Sequence, residues 1–269
     1  DQRLVAYIVP TATEDDNLQG QQVDLWQQVF NDTYSNNPNS PGDPTLNLAG
    51  WNDRYTGQPY PKAAMQEWRD TIVDQILELE PKRVWEIGCG TGMLLFKIAP
   101  HTQHYLGTDF SPGALQYIEQ HLKRQFLDDI TLKASAAHEF DGIETGAYDL
   151  LIMNSVIQYF PSLDYFLQVL EGAVKAVTTQ GAIFIGDVRN LPLLEAFHTA
   201  IEFYRAPDDL SIKDLRQQIQ KSIRTEGELL IDPDFFIALK QRFPRISHVQ
   251  IQLKRGYAQT EMSRFRYDV

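Results

Sequence analysis

The chain has 269 residues, 43% of them hydrophobic, which bounds it to one large domain or two small ones with ample material for a core. Lys and Arg number 24 against 36 Asp and Glu, and a net charge of −12 disfavours nucleic acid or an anionic membrane as a partner held by bulk charge. The single cysteine, Cys89, excludes an internal disulfide and a zinc site of several thiolates.

RLVAYIVP reads as a short strand and TATEDDNLQG after it as an acidic linker; nothing here has the basic start and apolar middle of a secretory signal. Residues 21–34, QQVDLWQQVFNDTY, read as a helix with Leu25, Val29 and Trp26 on one side. NNPNSPGDPT is too rich in proline for a helix or a central strand. A second helix is predicted from Ala64 to Leu79, with Met65, Trp68, Ile72, Ile76 and Leu79 forming a single-face stripe. From Arg83 the pattern alternates. RVWEIG, HYLGTD, DITLKA, DLLIMN and GAIFIGDV are strand-like, with helical patterns near 92–99, 112–125, 162–177 and 191–205 between them. Ser162 is a good N-cap for the third of these helices. Such alternation predicts a parallel sheet covered by helices on both faces. The most apolar run, DLLIMNSVIQYF, is cut by Asn154, Ser155 and Gln158 and falls short of the roughly 18 apolar residues of a membrane span. Residues 206–228 read as an inserted helical cap, and HVQIQLKRG and MSRFRYDV as an antiparallel pair at the sheet edge. The expectation is a soluble, cytoplasmic protein.

VWEIGCGTG at 84–92 carries the chemistry. A buried strand enters a loop with Gly88, Gly90 and Gly92 at alternate positions, where glycine lets the backbone turn sharply and a ligand lie against it. The spacing G-x-G-x-G differs from the G-x-G-x-x-G of dinucleotide enzymes. With acidic Glu86 ahead of it, it is the pattern of S-adenosylmethionine (SAM) enzymes. Glu86 is placed to receive the ammonium of the methionine part. Asp109 ends the next strand, about twenty positions on, where an acid reaches ribose hydroxyls. Asn154 ends the fourth strand at the carboxyl edge of the sheet, the usual ligand edge of open α/β folds, although a plain strand-end role fits it too. Cys89, small and set between glycines, suits packing better than nucleophilic catalysis.

LNLAGWNDRYTGQPYP, AMQEWRDT, WEIGCGTGMLLFKIAP, YLGTDFS, NSVIQYFP, FIGDVRNLPLLEAFH and LKRG…FRYDV resemble the methyltransferase domains built into nonribosomal peptide synthetases and hybrid polyketide synthases. The resemblance covers residues 21–269. RLVAYIVP in turn resembles the stretch of an adenylation domain that precedes such an insertion. It implies a Rossmann-like SAM methyltransferase fold with a mostly parallel seven-stranded sheet, helices on both faces and an antiparallel last strand. The implied division is an adenylation-like remnant and linker at 1–20, a helical lid at 21–80 and a SAM-binding core at 81–269. It also implies SAM as cofactor and, as partner, an acyl or peptidyl carrier protein whose phosphopantetheine arm bears the acceptor, beside flanking megasynthase domains. Family members methylate an amine nitrogen or, in polyketide modules, a hydroxyl. The family more often has Leu at Trp85, Ile at Tyr60 and Asn at Thr260, and the acceptor atom, nitrogen or oxygen, stays open.

A hydroxyl acceptor requires a general base, whereas an α-amino group with a pKa near 8 is helped by one without depending on it. Candidates at the carboxyl edge are His198, Asp187, Tyr55 and Glu261, with Arg189 beside Asp187. A packing role against the cap fits His198 equally, and Asp187 could hold Arg189 in place of contacting substrate. Gln58 and Tyr55 share a loop expected to close over the cofactor, Tyr159 is expected near the adenosine or the acceptor, and His138 near the adenine. Lys254, Arg255, Arg264 and Arg266 form a candidate docking patch, although a solvated charged edge fits them better. The rival reading is a non-catalytic SAM-binding or scaffolding domain. No compact Asp/His cluster points to a metal, and neither nucleic acid nor membrane is expected as a partner.

Overall fold

The computed structural model describes residues 15–35, 43–122 and 129–269, so RLVAYIVP lies outside the described residues. The helix α1 spans Asp15–Ser35 and α2 spans Lys62–Leu77. The alternating core follows as β1 (Arg83–Ile87), α3 (Leu95–Ile98), β2 (His104–Asp109), α4 (Pro112–Leu122), β3 (Ile130–Ala134), β4 (Tyr148–Asn154), α5 (Leu163–Ala176) and β5 (Val177–Gly186). After it come β6 (Val188–Arg189), α6 (Leu194–Arg205), α7 (Ile212–Arg224), α8 (Pro233–Arg242), β7 (Gln252–Leu253), α9 (Glu261–Phe265) and β8 (Arg266–Asp268). Among the described residues, no helix is long and apolar enough to cross a membrane.

Five strands form a parallel sheet in the order β3-β2-β1-β4-β5, and a second sheet has the order β6-β8-β7. Both pairings of β8 are antiparallel. Ile185 and Val269 exchange backbone hydrogen bonds of 2.8 and 2.9 Å, which ties the two sheets together. Across Asp187 the pairing of β8 slips by one residue, from Ile185 opposite Val269 to Val188 opposite Tyr267. Asp187 is thus the extra residue of a bulge, with a left-handed φ of 65°, and β6 continues β5 beyond it. The expected antiparallel last strand is present. The expected strand at 262–269 is shorter, because Thr260 and Ser263 form a capping box that starts α9 and only Arg266–Asp268 is extended.

Alternation within the strands explains the two cores. Trp85, Leu106, Leu151 and Met153 point to one face and pack with Phe166, Leu170 and Phe236. Val84, Tyr105, Leu150 and Ile152 point to the other and meet Ile72, Ile76, Leu95 and Ile118. The predicted stripe of α2 is buried at Met65, Trp68, Ile72 and Ile76, while Leu79 falls outside the helix and is exposed. In α1 the facing differs from expectation. Leu25 and Val29 are exposed at 60% and 43%, and the helix instead turns the row Trp26, Phe30 and Tyr34 inward. The helix also begins within the expected linker, at Asp15.

At the start of α5 the Ser162 hydroxyl accepts from Tyr165 N at 3.1 Å, satisfying one of the free amides of the first turn. Ser162→Ala is expected to lower the urea unfolding free energy by about 1 kcal/mol with an unchanged m-value.

Candidate functional site

The carboxyl ends of β1, β2 and β4 open into one cavity of about 420 Å³. Its floor is the glycine loop. Gly88 and Gly90 have φ of 73° and 51°, and a Cβ at Gly88 would lie 2.3 Å from Val156, so the loop admits no side chain there. Gly92, with φ of 82°, serves packing instead: a Cβ would press on Phe96 and Ile118 at 3.0 Å. Gly92 is not part of the cavity wall.

Two buried carboxylates face the cavity at adjacent strand ends. Glu86 accepts from the Tyr105 hydroxyl at 2.7 Å. Burial pushes its pKa up to about 8, with the Asp109 charge adding to the rise and the tyrosine bond opposing it. Asp109 accepts from Gly90 N and Ser111 N, both at 2.8 Å. Burial lifts its pKa to about 6 against those two bonds. Asn154 lines the same wall, its amide lying against Gly186, where a Cβ would come within 2.1 Å.

The opposite wall comes from α1. Trp26 and Phe30 meet Tyr159 at centroid distances of 4.7 and 5.1 Å, and Phe30 also reaches Phe110 at 6.1 Å. Gln27 Nε2 donates to Phe110 O at 2.7 Å and Ser111 Oγ to Asn31 Oδ1 at 2.6 Å, which fastens the helix to the loop after β2. Tyr34 is pushed upward by burial and by the Asp109 charge. The spacing of Trp26, Phe30 and Tyr34, four residues apart along a helix, was the available signal for this wall.

The far end of the cavity is built by Trp51, Tyr60, Trp68, Glu261, Met262 and Arg266. The Tyr60 hydroxyl donates to Glu261 Oε2 in a short hydrogen bond, and Arg266 donates to Glu261 Oε1 at 3.3 Å. Burial raises the Glu261 pKa; Arg266 and Tyr60 lower it, and the charges of Asp187 and Asp53 raise it further. Arg266 also pairs with Asp187 Oδ2 at 2.6 Å.

Of the expected site residues, Glu86, Gly88, Gly90, Asp109, Asn154, Tyr159 and Glu261 converge on this one cavity. Asp187 does not line it. That carboxylate is fully buried behind the wall, held by Arg266, by Ser155 Oγ at 2.7 Å and by Trp68 Nε1 at 3.4 Å. His198 is also outside, with Nε2 3.2 Å from Glu226, and burial lowers its pKa. The loop at 53–58 contributes Asp53, Arg54 and Gly57 to the wall. Gln58 of that loop is exposed, and Tyr55 packs on Tyr204 at 5.3 Å. Arg189 is buried with Glu226 and Glu228, each at 2.8 Å. His138 lies in a neighbouring groove, bonded to the Tyr165 hydroxyl at 2.8 Å. The candidate docking patch is broken, because Lys254 is buried against Asp268 at 2.8 Å and Arg266 belongs to the cavity. Among the described residues, no His/Cys/Asp/Glu group could hold a metal ion.

A family described as a methyltransferase domain matches residues 85–183, the stretch that holds the glycine loop and the Glu86, Asp109 and Asn154 strand ends. Chondramide synthase cmdD of Chondromyces crocatus is 42% identical over 99% of this chain, which spans 7% of that protein. The probable non-canonical nonribosomal peptide synthetase CymA of Salinispora arenicola is 36% identical over 99% of this chain, which spans 3% of it. Magnesium protoporphyrin IX methyltransferase of Synechocystis PCC 6803, solved with bound SAM, superposes with a TM-score of 0.54 at 12% identity, covering 92% of this chain and 94% of that one. The fold is the Rossmann-like fold of SAM methyltransferases. The chain is a SAM-dependent methyltransferase domain, homologous to a segment of nonribosomal peptide synthetases.

The donor set fits the cofactor. Glu86 and Asp109 present carboxylate acceptors, suited to an ammonium and to sugar hydroxyls, within a cavity whose size falls in the range of small-molecule sites. Without cofactor the raised Glu86 pKa has a cost. The folded protein holds that proton up to about pH 8 whereas the unfolded chain releases it near 4.5, so stability is lost as pH rises between those values. Asp109 completes its own change by about pH 6. In cofactor-free protein, Glu86→Gln is therefore expected to gain on the order of 2 kcal/mol over wild type between pH 6 and 8, read from denaturation curves at each pH. A gap that stays constant over that range contradicts the assignment.

Proposed function

We propose that the domain transfers a methyl group to the amine nitrogen of an aminoacyl thioester carried on the phosphopantetheine arm of a carrier protein. The observation that carries this reading is Glu261, a buried carboxylate that lines the same cavity as the glycine loop and is hydrogen-bonded to Tyr60 and Arg266. The peptide-synthetase relatives support an aminoacyl substrate.

Bound SAM supplies the methyl group from its sulfonium, whose carbon–sulfur bond breaks as the carbon–nitrogen bond forms. Glu86 takes the ammonium of the methionine part and Asp109 the ribose hydroxyls. Gly88 and Gly90 leave room for the cofactor, and Asn154 and Tyr159 bound the adenosine and methionine ends. Residues 21–80 close over it as a lid, residues 81–269 form the core and 206–228 act as a cap. Glu261 receives the acceptor as an ammonium and takes its proton, so that the nitrogen lone pair faces the methyl group. Burial raises the proton affinity of Glu261, which brings it closer to that of an α-amine near 8. Tyr60 and Arg266 fix the orientation of the carboxylate. Alignment of donor and acceptor supplies much of the rate. A hydroxyl acceptor is far less acidic and needs a stronger base within reach, and His198, the histidine expected for that task, faces Glu226 outside the cavity wall.

With SAM and a pair of carrier thioesters, intact mass is expected to show a methyl gain on the aminoacyl carrier and none on the β-hydroxyacyl carrier; the reverse pattern overturns the reading. Glu261→Gln is expected to lower kcat roughly 10²-fold at pH 7. The loss should shrink above about pH 8, where the amine is neutral unaided. His198→Ala should leave kcat within about threefold of wild type.

A further inference from the structure

In a chain of net charge −12, the outer face of α7 is basic. Lys213, Arg216, Lys221 and Arg224 are all exposed. At 100° per residue they fall within roughly 140° of the helix circumference. Leu215 and Ile219 occupy the opposite side, where Ile219 is buried, and half-buried Ile223 flanks Arg216 at the edge of the basic face. None of the four cations has an ion-pair partner among the described residues. The one acid of the helix, Asp214, bonds to the Ser211 hydroxyl at 2.6 Å.

Helix stability explains only part of the arrangement: Lys221 and Arg224 stand in the last turn, where the helix dipole favours cations, but the other features oppose it. Lys213 and Arg216 are three residues apart, as are Lys221 and Arg224, and like charges at that spacing repel. Lys213 also stands in the first turn, where the helix dipole disfavours cations. The face lies beside the cavity mouth. α7 packs on α6, with Ser222 Oγ donating to Glu202 Oε1 at 2.6 Å, and Arg205 at the end of α6 lines the cavity. Four residues beyond Arg224 the chain reaches Glu228, itself a wall residue, at most about 14 Å of backbone away. The same helical hairpin exposes Phe203, Tyr204 and Ile212 at 71%, 61% and 72%.

We infer that the outer face of α7 is the docking surface for an acidic partner protein, the carrier that delivers the acceptor; this rests on the carrier-bound substrate proposed above. Exposed aromatic and aliphatic side chains beside cations are the composition of a protein interface, and the strongly acidic remainder of the chain opposes nucleic acid. The attraction acts at the rim, so it sets encounter and salt dependence more than the chemical step.

The test compares two acceptors bearing the same aminoacyl group, one on a carrier protein and one on N-acetylcysteamine. In wild type the carrier-bound acceptor is expected to have the lower KM. In the variant Lys213→Glu, Arg216→Glu, Lys221→Glu, Arg224→Glu the carrier KM is expected to rise about tenfold or more near 50 mM salt, with kcat and the soluble-acceptor KM unchanged and the gap narrowing near 0.5 M salt. A second variant with Gln at all four positions should show a smaller rise in the same direction, and its soluble-acceptor kinetics confirm that folding is intact. An unchanged carrier KM in both variants overturns the docking surface while leaving the carrier reading in place. Equal KM values for the two acceptors in wild type overturn the carrier reading and the surface with it. Binding of a short DNA duplex that the charge reversal abolishes, with carrier KM unaffected, assigns the face to nucleic acid and also overturns the proposal.

Discussion

The carboxylate of Asp187 has no access to solvent, and a charge so placed is tolerated only when it is surrounded by partners. Arg266 from β8, Lys254 from the end of β7, Ser155 from the end of β4 and Trp68 from α2 all converge on it. The attraction of the two cations holds its pKa down in spite of burial. Those partners come from four separate stretches of chain, so one buried charge fixes the C-terminal tail and α2 against the end of the parallel sheet. The bulge makes this possible. By inserting one residue between β5 and β6 it sends the Asp187 side chain inward, and its backbone amide is secured by Asp268 Oδ1 at 2.8 Å. Ser155, its neighbour on β4, is also left-handed, with φ of 55°. Strain at two adjacent strand ends is thus balanced by a shared hydrogen bond.

The consequence reaches the cavity through Arg266. One guanidinium serves both Asp187 and Glu261, so the buried hub determines where the Glu261 carboxylate sits and how much positive charge it sees. Glu86 and Asp109, by contrast, have no cation beside them among the described residues. Burial leads the causes of the rise for both, and hydrogen bonds only partly offset it. The two ends of the cavity therefore differ in kind. One is satisfied within the protein; the other is held in an unfavourable state that a bound cation relieves.

The parallel core was readable because its strands are apolar runs bounded by turn residues, and β1, β2 and β5 announce themselves again by the glycine or acid at their ends. Glu86, Asp109 and the loop between them follow from strand order and spacing alone, since adjacent parallel strands bring their carboxyl ends to one edge. Where the reading relied on sequence proximity it failed. Gln58 and Tyr55 sit in a loop that does reach the cavity, yet the wall residues are Asp53, Arg54 and Gly57, because Gln58 is exposed and the Tyr55 ring packs on Tyr204. His198 lies on the helix expected near the acceptor, but the direction a helix presents is set by its packing partner, and here that partner is the Glu226 and Arg189 pair. The facing of α1 was missed for the same reason: both its sides carry apolar residues, and the aromatic Phe110 and Tyr159, distant in sequence, decide which side turns in.

Charge shows the limit of whole-chain arithmetic most clearly. Of the four cations first grouped as a docking patch, Lys254 and Arg266 are consumed by Asp187, Asp268 and Glu261, and their sequence neighbours Arg255 and Arg264 hydrogen-bond Gln252 and Gln259. A buried cation is part of the internal balance and contributes little to the field outside. The residues that shape that field are those the fold leaves unpaired, and on α7 these are four cations against the one acid Asp214, on a chain whose net charge is negative. A local basic face on a body of net negative charge orients an acidic partner as well as attracting it. With the cavity mouth a few residues away, orientation and delivery then follow from the same uneven distribution of charge.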